Sequence, residues 1–217
     1  MLEYEIRAPR NDVDKAPLIV LMHGRGATRF DLVPLADRFP THACVVFPEA
    51  PFNAAQWGYG VGSAWYRFMG GNRPEPESFS QSLDALNAFV TELQAEFAID
   101  GERVVLGGFS QGGTMGIGYA LAYPGTLAGV LNFSGFLADH PRVVASAETT
   151  GDTEFFWGHG RHDTSIPYQL ALEGRAQLER AGARLTSRDY GIGHWIDAQE
   201  LSDALAWLAA IQNPRAQ

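Results

Sequence analysis

Short apolar runs that each end on a Gly, Pro or Ser turn constrain this chain more than any other feature: Leu18 to Met22, Ala43 to Phe47, Arg103 to Leu106, Gly129 to Phe133 and Glu154 to Trp157. Near-continuous apolar strands of this length suit a parallel sheet buried on both faces. Helical patterns lie between them. Phe79, Leu83, Leu86, Val90, Leu93 and Phe97 recur at steps of four and three, which gives a helix one apolar stripe. Ser78 with Gln81 predicts a capping box at its start, and Asp100-Gly101 predicts its stop. A second helix is expected from about Tyr168 to Ala181, closing on Gly182. A third follows Asp197, with Glu200 three residues after the cap and Leu201, Leu205 and Leu208 facing inward. Leu2, Tyr4, Ile6 and Ala8 alternate with charged residues, the mark of a half-exposed edge strand. The alternation of strand and helix predicts an α/β fold: a mostly parallel central sheet with helices on both faces and ligands beyond the carboxyl ends of the strands. Residues 48–76, rich in Gly and aromatics but without a period, are expected as loop over that site.

The 217 residues suit a single domain, 1–217, and a composition of 46% hydrophobic and 19% charged residues can bury its core. A net charge of −9 argues against nucleic acid or an anionic membrane as partner, since both select clustered Lys and Arg. The longest aliphatic runs fall far short of the roughly 20 residues that span a bilayer, so no integral membrane association is expected. Met1 to Ile6 has neither the basic start nor the apolar core of a signal peptide, which points to the cytoplasm. Cys44, the sole cysteine, sits in Ala43-Cys44-Val45-Val46-Phe47 and reads as a packing residue. The sequence leaves open whether the chain acts as a monomer or a homodimer.

Chemistry concentrates at Gly108-Phe109-Ser110-Gln111-Gly112. This G-x-S-x-G follows the strand Arg103 to Leu106 and precedes an expected helix, Gly113 to Tyr123, which is the context of a nucleophile elbow. The turn is so tight that a side chain two residues to either side of the serine would collide, and Gly108 and Gly112 meet that demand. Outside this context the same five residues would be a Gly-rich turn before an ordinary helix.

A serine hydroxyl needs a base, and in this architecture the acid and the histidine follow it in the order Ser, Asp, His. His194, in the glycine-rich loop Gly191-Ile192-Gly193-His194-Trp195 after an expected strand Ala183 to Tyr190, is the histidine that satisfies the order. Asp163 follows the strand Glu154 to Trp157 across a short turn and is the preferred acid; Asp189, five residues before His194, is its rival. The tetrahedral oxyanion needs donors as well. The amide after the nucleophile, Gln111, is one, and the amide of Arg25 in Leu21-Met22-His23-Gly24-Arg25-Gly26 is the second, unless that segment is a plain strand exit.

These residues resemble the phospholipase/carboxylesterase group of α/β-hydrolases, which includes the acyl-protein thioesterases. The matching landmarks run through nearly the whole chain: His23 to Gly26, Pro48 to Pro51, Ser63 to Tyr66, Gly107 to Gly113, His159-Gly160 with Asp163 and Ile166-Pro167, and Gly193-His194. The resemblance implies the α/β-hydrolase fold and a cofactor-free serine carboxylesterase. Its catalytic residues would be Ser110, Asp163 and His194, its oxyanion hole the Arg25 and Gln111 amides, and its partner a small-molecule ester, with thioesters and lysophospholipids inside the same chemistry. The chain departs from the group at Arg25, where an apolar residue is common, at Ala27, where an acid is common, and at Gln56-Trp57-Gly58-Tyr59. All three departures border the substrate pocket.

Trp65, Tyr66, Phe68, Met69 and Trp195 are candidate pocket walls, although aromatics serve more often as packing. Two other readings stand beside the esterase. One makes His159, His162 and Asp163 metal ligands with His23 or His194 completing the site, which the Gly160 loop disfavours. A hydrolase fold that binds without turnover is the other, since fold alone does not fix function.

Overall fold

The computed structural model of the chain describes residues 1–10, 16–97 and 99–212. Its strands are β1 (Tyr4–Arg7), β2 (Ala16–Met22), β3 (Cys44–Pro48), β4 (Phe52–Asn53), β5 (Ser63–Ala64), β6 (Ile99–Phe109), β7 (Gly129–Phe133), β8 (Glu154–Gly160) and β9 (Arg184–Tyr190). Its helices are α1 (Pro76–Glu96), α2 (Gln111–Ala122), the single turn α3 (Ala147–Thr150), α4 (Tyr168–Arg180) and α5 (Ala198–Gln212). Seven strands form one sheet in the order β1-β3-β2-β6-β7-β8-β9. Only β1, the alternating edge strand, runs antiparallel; every other pair in that sheet is parallel. The sheet puts β6 at its centre, and the turn after β6 carries Ser110.

Alternate residues of each strand feed two cores. Leu18, Val20, Met22, Val104, Leu106, Val130, Phe155 and Trp157 face one layer, where α1, α2 and α4 supply Leu83, Leu86, Phe89, Met115 and Leu178. Ile19, Leu21, Val105, Leu131, Phe133 and Phe156 face the other, covered by Ala36 and Phe39 on one side and by Ala204, Trp207 and Leu208 of α5. Each fully buried aliphatic or aromatic side chain contributes about 1.5–3 kcal/mol, so the two layers together hold the sheet between its helices. Cys44 is buried in the first layer, where burial pushes its thiol up to about 11 despite the nearby Arg7, as suits a packing role. Among the described residues no helix is long and apolar enough to cross a membrane.

The element ends differ from the sequence reading in instructive ways. α1 starts at Pro76 rather than at Ser78, because proline presets the backbone for a first helical turn. The expected capping box is therefore absent. Ser78 Oγ instead accepts from the Arg67 amide (3.1 Å), and Gln81 donates to Glu77 (2.7 Å). Asp100-Gly101 is not a stop but part of β6, which already pairs with β2 at Ile99. β8 continues through His159 and Gly160, because its register with β9 runs to Gly160 opposite Tyr190. Within residues 48–76, β4 and β5 form a two-residue ribbon, pairing Phe52 with Ala64 and Asn53 with Ser63.

Helix α5 carries a buried acid. The Glu200 amide donates to Asp197 Oδ1 (2.8 Å), the cap expected from sequence, but the Glu200 side chain turns inward. It packs against Gly158 of β8 so closely that a Cβ there would lie 2.2 Å from Oε1, and neither carboxyl oxygen has a hydrogen-bond partner. Burial pushes this carboxyl up to about 8, with the Asp197 and Asp163 charges adding to the rise. The folded state therefore holds a proton that the unfolded chain, with an ordinary carboxyl near 4.5, releases. Stability from this group is complete below about 4.5 and drains away as pH climbs to 8. Glu200→Gln cannot ionise. Thermal melts across that window should show the wild type losing ground to the variant by several degrees as pH rises; parallel curves would refute this account.

Candidate active site

Four strand ends converge where the chemistry gathers. Ser110 follows β6 with φ 56° and ψ −114°, a conformation that a non-glycine residue adopts only under constraint. Its amide donates to Phe133 O (2.8 Å), tying the turn to β7, and its carbonyl accepts from Thr114 N (3.1 Å) as the first bond of α2. The two glycines of the motif are forced by contact with β2. A Cβ added at Gly108 or at Gly112 would lie 2.1 Å from the Met22 carbonyl oxygen. The serine thus sits at the start of a helix whose first amides have no partner within the helix.

His194, from the loop after β9, lies between Ser110 and Asp163. Its Nδ1–H donates to Asp163 Oδ2 (2.7 Å), which leaves Nε2 to accept from the Ser110 hydroxyl (3.0 Å). Asp163 is buried, and its other oxygen accepts from the amides of Ser165 (2.9 Å) and Ile166 (2.8 Å). With both oxygens engaged, the carboxylate is fixed before the imidazole meets it. The ring of Phe109 lies against the imidazole, with centroids 4.6 Å apart and planes tilted by 40°, and limits its movement. The arrangement can pass a proton from a hydroxyl to an imidazole while a carboxylate balances the charge.

Asp189, the rival acid, is spent elsewhere. In β9 it accepts from Arg175 Nη1 and from Tyr168 OH, both at 2.5 Å. Burial works to raise this carboxyl, but these two donors hold it below the usual carboxylate range. His159 is buried, donates Nε2–H to Ile166 O (2.9 Å), and is kept neutral chiefly by burial. His162 is exposed. Among the described residues no three His, Cys, Asp or Glu side chains gather as a metal site.

A cavity of about 230 Å³ opens at Ser110 and His194. Arg25 and Gln111 both line it, as do Tyr66 and Phe68. Trp65 and Met69 are not on its wall. Trp65 is fully buried, and its indole N–H donates to His23 O (3.0 Å). The Gln111 side chain holds the same segment, accepting from Trp65 N (3.0 Å) and donating to Tyr66 O (2.9 Å). His23 extends this framework: Nδ1–H donates to Gly24 O (2.7 Å), Nε2 accepts from Ala50 N (3.1 Å), and burial lowers its basicity. Trp195 lines a second, apolar groove of about 250 Å³ with Leu32, Pro34, Leu35 and Ile196, which shares Phe109, His194 and Asp31 with the first. Phe109, Phe136, Ile166 and Asp31 also line the cavity and were not among the pocket walls expected from the sequence. All but Asp31 lie within a few residues of the carboxyl ends of β6, β7 and β8, where a doubly wound sheet presents its ligand contacts.

A parallel sheet with helices on both faces and a serine on a tight strand-to-helix turn defines an α/β-hydrolase. Residues 3–212 match the model of the Phospholipase/Carboxylesterase family, and the chain belongs to that family of ester hydrolases. It is 28% identical over 208 residues to acyl-protein thioesterase 1 of Kluyveromyces lactis, covering 88% of this chain and 90% of that protein. It is 27% identical over 202 residues to the carboxylesterase SOBER1 of Arabidopsis thaliana, covering 88% of each. The crystal structure of the Bacillus cereus carboxylesterase superposes with a TM-score of 0.81 at 21% identity, over 97% of this chain and 95% of that one.

The close approach at Gly112 yields a direct test. Gly112→Ala must move the Met22 carbonyl, and should cost about 1–3 kcal/mol in denaturant melts. Gly116→Ala, further along α2 with nothing nearer than 3.4 Å to the new carbon, should cost far less. Equal losses would contradict the steric account of the motif.

Proposed function

We propose that this protein hydrolyses carboxylic esters through an acyl-enzyme on Ser110. The observation that carries the reading is the unbroken relay from buried Asp163 through His194 to the Ser110 hydroxyl, at 2.7 and 3.0 Å. Ser110 Oγ attacks the ester carbonyl carbon while His194 Nε2 takes its proton. The resulting oxyanion is received by the backbone amides of Arg25 and Gln111. Collapse breaks the bond to the leaving group, which takes the proton from His194 and departs as the alcohol. Water then attacks the acyl carbon, gives a proton to His194, and the acid leaves as Ser110 regains its hydrogen. Asp163 holds the Nδ1–H tautomer and balances the imidazolium without taking the proton itself. A thiol leaves by the same steps, so thioesters fall within the reading, as do lysophospholipids, whose acyl group is held by an ordinary carboxylic ester.

Ser110→Ala should lower kcat on p-nitrophenyl butyrate by at least about ten-thousand-fold, and Asp163→Asn by a comparable factor. A fluorophosphonate should add its mass to the wild type and not to Ser110→Ala. Turnover that survives in Ser110→Ala but falls with a chelator would favour a metal-dependent hydrolase. Absence of both labelling and turnover would favour a binding protein on a hydrolase fold.

A further inference from the structure

The side chain of Arg25 has no role in the relay, yet it is held with unusual care. Its guanidinium lies 4.7 Å from the centre of the Tyr59 ring and 5.9 Å from that of Phe68. These two aromatics are tied to each other, because the Phe68 amide donates to Tyr59 OH (2.8 Å). Stacking fixes the plane of a guanidinium while leaving its N–H groups free. Among the described residues Arg25 has no ion-pair partner, unlike Arg29, which meets Glu3, Glu5 and Glu49. A preorganised cation with unused donors on the wall of a cavity is a receptor for an anion.

The same cavity contains a second donor that is poorly satisfied. Tyr66 is fully buried and lines the cavity, and its hydroxyl lies beside the Thr114 side chain without forming a well-aligned hydrogen bond, Thr114 Oγ1 already accepting from Phe136 N (3.1 Å). A buried hydroxyl left unpaired costs free energy that a ligand oxygen would restore. The cavity, at about 230 Å³, admits a small substrate, and Arg25, an exposed residue, and Tyr66, a buried one, both border it together with Ser110.

We infer that the substrates of this enzyme are small esters bearing a carboxylate, received by the Arg25 guanidinium and the Tyr66 hydroxyl on the cavity wall. The inference rests on the esterase reading and narrows it. A planar fork matches a carboxylate with two parallel hydrogen bonds, and one cation balances one charge. Asp31 also reaches this cavity, is exposed, and opposes the effect. The carboxylate can belong to the acyl part or to the leaving group, and paired substrates separate these cases.

The test measures kcat/KM for mono(p-nitrophenyl) adipate against p-nitrophenyl heptanoate, and for p-acetoxybenzoate against its methyl ester. In one of the two pairs the full-length wild type should prefer the charged member. Arg25→Met should lower that preference about tenfold, the size expected for one partly exposed charge-assisted contact. Arg25→Lys should keep part of it, Tyr66→Phe should lower it to a smaller degree, and Asp31→Asn should raise it. Preference unchanged in Arg25→Met and Tyr66→Phe, or absent from the wild type in both pairs, overturns the inference. Failure of the wild type to cleave even the neutral esters would instead overturn the esterase reading, so the two failures are distinguishable.

Discussion

The contact of the β6–α2 turn with the Met22 carbonyl governs the rest of this structure. Two strands and a helix meet there with no room for a side chain, and Gly108 and Gly112 are the two positions that would otherwise bring one. Because the chain must reverse within a few residues, Ser110 is driven to φ 56° and its hydroxyl is lifted off the sheet. Strain of this kind costs on the order of 1–3 kcal/mol and survives only where the surroundings overdetermine it. Here the Ser110 amide bond to Phe133 and the buried layers of β2, β6 and β7 on either side provide that restraint. The geometry of the hydroxyl is therefore a property of the whole sheet centre and not of a flexible loop.

The other members of the relay come from loops, and each is fixed by a different device. Asp163 is held by two backbone amides of its own turn, a local solution that needs nothing distant. His194 depends on neighbours instead: Asp163 on one nitrogen, Ser110 on the other and the tilted Phe109 ring beside it. Phe109 belongs to the same five-residue motif as Ser110, so the turn that presents the hydroxyl also orients its partner. Behind them, the His23, Trp65 and Gln111 bonds lock the early loop to the start of α2. The two segments expected to supply the oxyanion amides cannot drift apart without breaking these buried hydrogen bonds.

What was legible in the sequence follows from how local each signal is. The strands β2, β3 and β7 were visible because burial on both faces writes a continuous apolar run. The grouping of Ser110, Asp163 and His194 was visible because chain order reduces six histidines to one. The lengths of β6 and β8 were not visible, since pairing with β2 and β9 extends strands through Asp100-Gly101 and His159-Gly160, where local preference favours a turn. Trp65 misleads for a related reason. An aromatic in a loop near the site reads as a wall, whereas its indole N–H is consumed by His23 O, a partner 42 positions away in the chain. Whether an aromatic faces a ligand or a backbone is decided by tertiary contacts that leave no trace in spacing.

On the proposed reading, Arg25 serves two functions without conflict. Backbone and side chain point to different tasks: the amide belongs to the loop leaving β2, while the guanidinium reaches to Tyr59 and Phe68 in the segment that covers the cavity. A chain of net charge −9 repels anions at a distance, so an anionic substrate would gain nothing from long-range steering. Any such selectivity must come from short-range contact at the cavity, where a guanidinium held against Tyr59 and Phe68 acts at close quarters. Placing that cation on the loop proposed to supply an oxyanion donor would couple recognition to chemistry, because a substrate that pulls on the side chain would also pull on the amide expected to receive the developing charge. Selection of the ester and stabilisation of its tetrahedral intermediate would then rest on the same few atoms of backbone.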